Sequence, residues 1–197
     1  MQQLLTDVVL EDEAALLRPL TTEDLPLLLP FALREPALWQ YSMSPAAGEE
    51  NMAAYIQQAV DARRAGKEYP FIVFDKKQQA WAGSTRYYDI QPAHATLQLG
   101  YTWYGKNFQG TGLNKHCKFL LLQYAFETLG VERVEFRADH TNQKSIAAMK
   151  SIGCTVEGVL RSNLVKHDGK RRSSIVLSIL KEEWLGGVKE RLQAKLR

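Results

Sequence analysis

The spacing of apolar residues along the chain predicts strands and helices in a definite order. A two-residue period, typical of strands, occupies residues 69–74, 81–90, 97–103, 131–138, 155–165 and 173–180. Steps of three and four, typical of helices, occupy residues 21–29, 44–64, 113–127 and 142–152. Residues 8–20 fit a strand pair or one bent strand, and residues 181–197 a basic helix or tail. The pattern predicts a mixed α/β (α+β) fold in the order β, α, α, β, β, β, α, β, α, β, β.

One stretch of the chain combines three of these signals. A strand at 97–103 leads into a turn at 107–112 (NFQGTG), and helical spacing starts at Leu113. The two glycines let backbone N–H groups approach an anion, and the dipole of the helix favours negative charge at its start. We therefore expect a phosphate site on the backbone around Gln109, Gly110, Thr111, Gly112 and Leu113.

The order of elements around this turn argues against a nucleotide cofactor. Three antiparallel strands precede the turn, whereas dinucleotide-binding folds alternate strand and helix. No acidic residue closes a strand about twenty positions later, where a ribose hydroxyl would be bound. Leu113 and Asn114 follow Gly112 where an NTP-binding loop has its lysine.

Composition indicates an ordinary globular protein. The 197 residues suit a single domain over 1–197, with 45% apolar residues, 24% charged residues and a net charge of +3 that does not indicate a nucleic-acid partner. Cys117 and Cys154 stand in apolar surroundings and are expected to be buried, reduced thiols. The basic cluster 170–172 is expected to be a solvated hairpin. Residues 1–3 do not begin a signal peptide and no apolar run could span a membrane, so we expect a cytoplasmic protein.

Two motifs resemble the GCN5-related N-acetyltransferase (GNAT) superfamily. The turn and helix start, Gln109-Gly110-Thr111-Gly112-Leu113-Asn114, match the family's Gln/Arg-x-x-Gly-x-Gly/Ala motif except at Asn114. The segment from Asn142-Gln143-Lys144-Ser145 to Ile152-Gly153-Cys154 resembles the second motif, with Cys154 in place of phenylalanine. Ser145 and several downstream positions resemble the branch of ribosomal-protein N-terminal acetyltransferases (RimJ/RimL-like); these positions are 157–161, Asp168, Gly169 and Ser178. The arginine-aspartate pair usual in that branch is Arg172-Ser173 here.

The resemblance implies a GNAT acyl-CoA N-acyltransferase fold. Its mixed, mostly antiparallel sheet would have about seven strands, splayed between 97–103 and 131–138 and flanked by helices. Acetyl-CoA would lie in the opening, with its pyrophosphate at the turn and its pantetheine arm along the first of these strands. A backbone N–H on that strand would polarise the thioester carbonyl. The implied cofactor-binding residues are Leu99, Tyr101, Trp103, Gln109, Gly110, Thr111, Gly112, Leu113, Asn114, Asn142 and Ser145.

The resemblance also suggests which side chains carry the chemistry. Many family members have a tyrosine that protonates the leaving thiolate where this chain has Met149, so Ser145 becomes the candidate donor. Asp89 or Glu157 is the candidate base, and Tyr101 could also reach the thioester. The acceptor amine would lie against an aromatic wall formed by Trp39, Tyr41, Tyr87 and Tyr88. His116 and His140 are expected on a helix surface and in a loop, and no metal is expected.

Three hypotheses follow from these residues. The first is an acetyl-CoA-dependent N-acetyltransferase that acts on a protein or peptide N-terminal α-amine. The second keeps the reaction and changes the acceptor to a polyamine, amino sugar, amino acid or drug. The third is a CoA-binding module without catalysis, which Met149 and Asn114 favour. In every case we expect no nucleic-acid or membrane partner, and a monomer or homodimer.

Overall fold

The computed structural model describes residues 6–166 and 168–196. These residues form an eight-stranded sheet with the order β1-β2-β3-β4-β5-β6-β8-β7, in which β7 forms one edge. The strands are β1 (Leu10–Glu11), β2 (Ala15–Pro19), β3 (Tyr69–Asp75), β4 (Ala80–Gln91), β5 (Thr96–Tyr104), β6 (Arg133–Asp139), β7 (Thr155–Val165) and β8 (Arg171–Leu180).

Helices cover both faces of the sheet. The main helices are α1 (Leu25–Arg34), α2 (Glu49–Arg64), α3 (Leu113–Gln123) and α4 (Gln143–Ser151). A π-helical turn, Tyr124–Thr128, extends α3, and the chain ends in α5 (Lys181–Glu183), a second π-helical turn (Trp184–Val188) and α6 (Lys189–Gln193). Within the described residues, no helix is both long enough and apolar enough to span a membrane.

Strands β5 and β6 are parallel, and they separate after three paired positions. Their pairing covers Thr96 with Arg133, Leu97 with Val134 and Gln98 with Glu135. Beyond these positions β5 stays paired only with β4, while β6 stays paired with β8. The predicted splay between 97–103 and 131–138 is therefore confirmed, and we call the opening between the two strands the split.

Two hydrophobic clusters hold the helices to the sheet. The larger cluster joins α3, α4 and the C-terminal helices to one face through buried residues such as Leu99 and Phe136. The smaller cluster joins α1 and α2 to the opposite face and includes Trp39, Tyr55 and Trp103. Because strand side chains alternate between faces, each residue beside the split is directed toward one of these helical layers.

Two expectations about the elements are corrected. The sheet has eight strands rather than about seven, because residues 8–20 form a strand pair whose first member is the two-residue β1. Helix α2 begins at Glu49 and not at Ser44. Hydrogen bonds between Ser42 Oγ and both the N–H and the carbonyl of Ser44 fold that segment into a loop, and Gly48, at φ 87°, precedes the helix. The expectation for residues 1–3 lies outside the described residues.

Both cysteines are buried and free, as predicted. Burial raises the pKa of the Cys117 and Cys154 thiols to about 12, so both are neutral at physiological pH.

Tyr87 joins the sheet to α3, and its hydroxyl provides a test of this packing. The fully buried hydroxyl donates a hydrogen bond of 2.6 Å to the Leu121 carbonyl. We expect Tyr87→Phe to lower the free energy of unfolding by about 1 kcal/mol in urea titrations, because one buried hydrogen bond is lost. The matched control is Tyr124→Phe, since this side chain is partly exposed, and its effect should stay within about 0.5 kcal/mol. Equal effects in the two variants would contradict this role of the hydroxyl.

Candidate active site

The split exposes one edge of β5 at the centre of the sheet. From Leu99 onward, the backbone groups of β5 that point toward β6 have lost their strand partner. Such an edge can pair with an added extended segment through backbone hydrogen bonds. The Leu99 and Trp103 side chains are themselves buried in the two cores, so only their backbone is available to a ligand.

A bulge in β5 lies beside the split. The register with β4 shifts between Ser84 and Arg86, and Tyr101 takes a positive φ of 49°. A left-handed tyrosine is uncommon and strained, and such residues cluster at functional sites. The bulge turns the Tyr101 ring toward α2, where its centroid lies 4.2 Å from the Arg86 guanidinium carbon. Burial raises the pKa of the Tyr101 hydroxyl, so this group stays protonated.

The glycine turn offers a set of unused backbone donors at the open end of the split. Gly110 and Gly112 both have positive φ, 79° and 95°, and Gly112 directly precedes α3. Within the described chain, the N–H groups of Gly110, Thr111, Gly112 and Asn114 have no backbone acceptor. The Leu113 N–H has only a long contact of 3.4 Å to Thr111 Oγ1. The turn and the first turn of α3 can therefore bind an anion through backbone donors.

The start of α4 faces the glycine turn across the split. The Asn142 side chain accepts a hydrogen bond of 3.1 Å from the Ser145 N–H, which makes Asn142 the N-cap of α4. Lys144 donates a hydrogen bond to Gln109 Oε1, and Gln109 Nε2 in turn donates to the Tyr104 carbonyl at 2.7 Å. Two residues of the predicted motifs, Gln109 and Asn142, thus lie at the same opening.

Ser145 lies in the first turn of α4 and is partly exposed. Among the described residues its hydroxyl makes no hydrogen bond, so the hydroxyl can still donate to a ligand. The Met149 side chain, at the position where a tyrosine would stand, is buried in the core. The expectation that Ser145 acts in place of residue 149 stays a prediction.

The aromatic residues expected to contact the acceptor occupy different places. The Trp39 ring packs 4.9 Å from Trp103 beneath α1 and α2. The ring of Tyr88 lies over Gly100 of β5, where an added Cβ would be 2.9 Å from its Cε1 atom. Tyr41 is partly exposed in the loop before α2. Tyr87 is different, because its fully buried side chain points into the α3 face, and it cannot line the acceptor site.

The two candidate bases are both hydrogen-bonded. Asp89 accepts from Gln91 and Gln98, at 2.8 and 2.7 Å. Glu157 accepts from Arg133 and from the Ser178 hydroxyl, and the Arg133 hydrogen bond lowers the pKa of its carboxyl group. A lowered pKa makes a carboxylate a weaker base, so this environment disfavours Glu157 in that role.

Arg86 is a buried residue of the acceptor side that the sequence pattern did not single out. Its guanidinium lies between the rings of Tyr55 and Tyr101 and donates to Glu68 Oε2 at 2.7 Å. Its Nε and Nη2 atoms are buried and have no hydrogen-bond partner in the described chain. An arginine in a strand is ordinarily a solvated residue, so burial of this one could not be read from its spacing.

Two further expectations about charged residues are wrong. Arg172, placed in a solvated hairpin by its basic cluster, is buried and donates to the Tyr41 carbonyl at 3.1 Å. This contact joins the loop before α2 to β8. His116 is also buried and not on a helix surface; its Nδ1 lies 2.7 Å from Asp12 Oδ2. The ligand atoms of Asp12, Glu13 and His116 lie within 4.8 Å of one another, but Asp12 Oδ1 already accepts from the N–H groups of Ala14 and Ala15.

This fold and site have recognisable relatives. The family model for an acetyltransferase (GNAT) domain matches residues 15–155. The chain therefore belongs to the GNAT family of acetyltransferases, which use acetyl-CoA as the acetyl donor.

Individual relatives agree with this assignment. The chain is 33% identical over 104 residues to a provisionally named ribosomal N-acetyltransferase, YdaF of Bacillus subtilis (strain 168), covering 53% of this chain and 56% of that protein. A solved structure of an acetyltransferase from T. thermophilus is 35% identical, with a TM-score of 0.85 over 96% of this chain and 97% of that one. The Microcin C7 self immunity acetyltransferase MccE, solved with acetyl-CoA and AMP, shares the fold at 22% identity, with a TM-score of 0.76 over 86% of this chain and 93% of that chain.

The contact between Tyr88 and Gly100 can be tested by a double-mutant cycle. We expect Gly100→Ala to destabilise the protein by about 1–3 kcal/mol, because the new methyl group overlaps the Tyr88 ring. In a Tyr88→Ala background the same change should cost much less, because the ring is gone. Chemical denaturation of the four proteins measures the coupling. Equal costs in both backgrounds would show that the ring does not lie over Gly100.

Proposed function

We propose that the chain transfers the acetyl group of acetyl-CoA directly to a primary amine, with a protein or peptide N-terminal α-amine as the acceptor. The observation that carries the proposal is the split, which places an unpaired strand edge next to a turn with free N–H donors. Family membership supports the donor. The name of the B. subtilis relative supports the acceptor.

The residues at the split fit acetyl-CoA. The pantetheine arm has two amides that can pair with the β5 edge from Leu99 onward, as an added strand does. The pyrophosphate suits the N–H groups of 110–114 at the start of α3. A Cβ at Gly110 would meet no atom within 4 Å, so the turn leaves open space where the phosphates would lie. When bound, acetyl-CoA supplies the acetyl group and the thiol leaving group.

An α-amine is a chemically suitable acceptor for this site. Its pKa lies near ~8, whereas that of a lysine side chain lies near ~10.4, so a larger fraction of the α-amine is neutral at physiological pH. The site then needs only a modest base. Both candidate carboxylates already accept hydrogen bonds, which favours an acceptor that depends little on a strong base. Positioning of the two reactants would supply most of the rate enhancement.

A thiol-release screen tests this function. The purified chain is incubated with acetyl-CoA and a panel of peptides, polyamines, amino sugars and amino acids, and free thiol is measured. Release with peptides that have a free N-terminus, and none with the same peptides after N-terminal blocking, is the expected result. Release only with small amines would replace the acceptor. Acetyl-CoA binding without thiol release from any amine would favour a non-catalytic module.

The turn at Gly110 provides a test of cofactor placement. We expect Gly110→Trp to lower acetyl-CoA affinity at least tenfold by calorimetry, because the indole would fill the phosphate position. The matched control is Gly130→Trp, because Gly130 also has a positive φ, 70°, and open space around its Cβ. Both variants carry similar backbone strain, so comparable losses of affinity in the two would exclude a specific phosphate site at the turn.

Ser145→Ala separates binding from catalysis. We expect kcat to fall about 10²-fold or more if the hydroxyl donates to the leaving sulfur, while KM for acetyl-CoA changes little. The Asn142 cap depends on the Ser145 backbone N–H, which the variant keeps, so α4 should remain intact. Ser151→Ala, in the last turn of the same helix, is the control. Unchanged kcat in Ser145→Ala would remove the hydroxyl from the mechanism.

A further inference from the structure

Lys118 of α3 is a buried lysine close to the split. It is 5% exposed, and its Nζ donates to Thr102 Oγ1 at 2.7 Å and to Thr85 Oγ1 at 3.3 Å. The Nζ atom also lies 6.0 Å from the centroid of the Phe136 ring. An ammonium group has three hydrogens, so these two hydroxyls satisfy only two of its donors.

This lysine makes no ion pair with a carboxylate within the described chain. Its surroundings are Cys117 on its own helix, Thr85 on β4, Thr102 on β5, Phe136 on β6 and Cys154 after α4. Both thiols are neutral, so neither supplies a counter-charge. A buried ammonium without an anion is costly, which is why burial lowers the pKa of Lys118 to about 8.

The position of Nζ points to an anion that arrives with the ligand. Thr102 lies on β5 one residue after the bulge at Tyr101, and Phe136 is the first residue of β6 beyond its last pair with β5. Nζ therefore lies beneath the divergent part of the two strands. Thr102 is partly exposed, so only a thin layer separates the ammonium from a ligand in the split.

We propose that Lys118 Nζ stabilises the negative charge that forms on the coenzyme A sulfur when the acetyl group is transferred. This inference rests on the proposed function of the split. Residue 149 cannot donate a proton, and the Lys118 ammonium provides a charge from α3 on the opposite side. Lys118 then acts together with, or in place of, the Ser145 hydroxyl.

The proton balance of this step is simple. The amine nitrogen forms the new C–N bond, the C–S bond breaks, and its electron pair goes to sulfur. Lys118 gives its Nζ proton to that sulfur to produce the free thiol, and the amine releases one proton to solvent. Nζ then regains a proton from solvent. Because the thiol has a pKa near ~8.5, transfer from a lysine with a pKa of about 8 is nearly balanced in free energy.

The test measures the thiol of bound coenzyme A and needs no acceptor. Free coenzyme A is titrated on the full chain by ultraviolet thiolate absorbance, with desulfo-coenzyme A as the blank. We expect the pKa of the bound thiol to lie at least about one unit below that of free coenzyme A, because a positive charge within about 4–6 Å favours the thiolate. In Lys118→Met the shift should disappear, and coenzyme A affinity at pH 9 should fall about tenfold while desulfo-coenzyme A affinity is unchanged.

Controls separate charge from structure. Lys118→Gln keeps a donor for the two threonines and removes the charge, so it should behave as Lys118→Met does. Lys150→Met, on the exposed surface of α4, should keep the wild-type shift. An unshifted thiol in the wild-type protein overturns the proposal, even if both Lys118 variants fail to fold. A shift that persists in a folded Lys118 variant overturns it too. Failure of the wild-type chain to bind coenzyme A would instead refute the proposed function.

Discussion

The separation of β5 from β6 is the constraint on which the rest of the structure depends. Three paired positions fix the two strands at one end, and beyond Gln98 the strands are held apart by different partners. Each is paired on its outer side, β5 with β4 and β6 with β8, so neither edge frays. Backbone groups inside a protein are ordinarily satisfied, and a persistent opening in the centre of a sheet therefore indicates a place for a ligand with amides of its own.

The two faces of the sheet supply different chemistry to this opening. On the α1 and α2 face, Arg86 is held between Tyr55 and Tyr101 with one edge of its guanidinium unpaired within the described chain. On the α3 face, Lys118 lies under the threonines of β4 and β5. The bulge at Tyr101 connects the two, because it sends Tyr101 to one face and Thr102 to the other.

The sequence predicts the structure well where the signal is local. The turn at 107–112, the helix after it and the cap at Asn142 depend on neighbouring residues, and the structure has them as predicted. Prediction is weak where burial decides a role. Tyr87 and Tyr88 are adjacent, yet alternation sends one into the core and the other over Gly100. Nothing in the local spacing shows that Lys118 and Arg172 are buried, since each stands in a polar stretch and acquires its partners from distant segments.

The position of β7 at the edge of the sheet has a consequence for self-association. Its backbone is paired on one side only, by β8, and it carries exposed apolar side chains: Val156, Val159, Leu160, Leu164 and Val165. An apolar, half-paired strand is a surface on which another chain can add a strand. Because β8 and β6 separate β7 from the split, a second copy bound there would lengthen the sheet and leave the opening accessible.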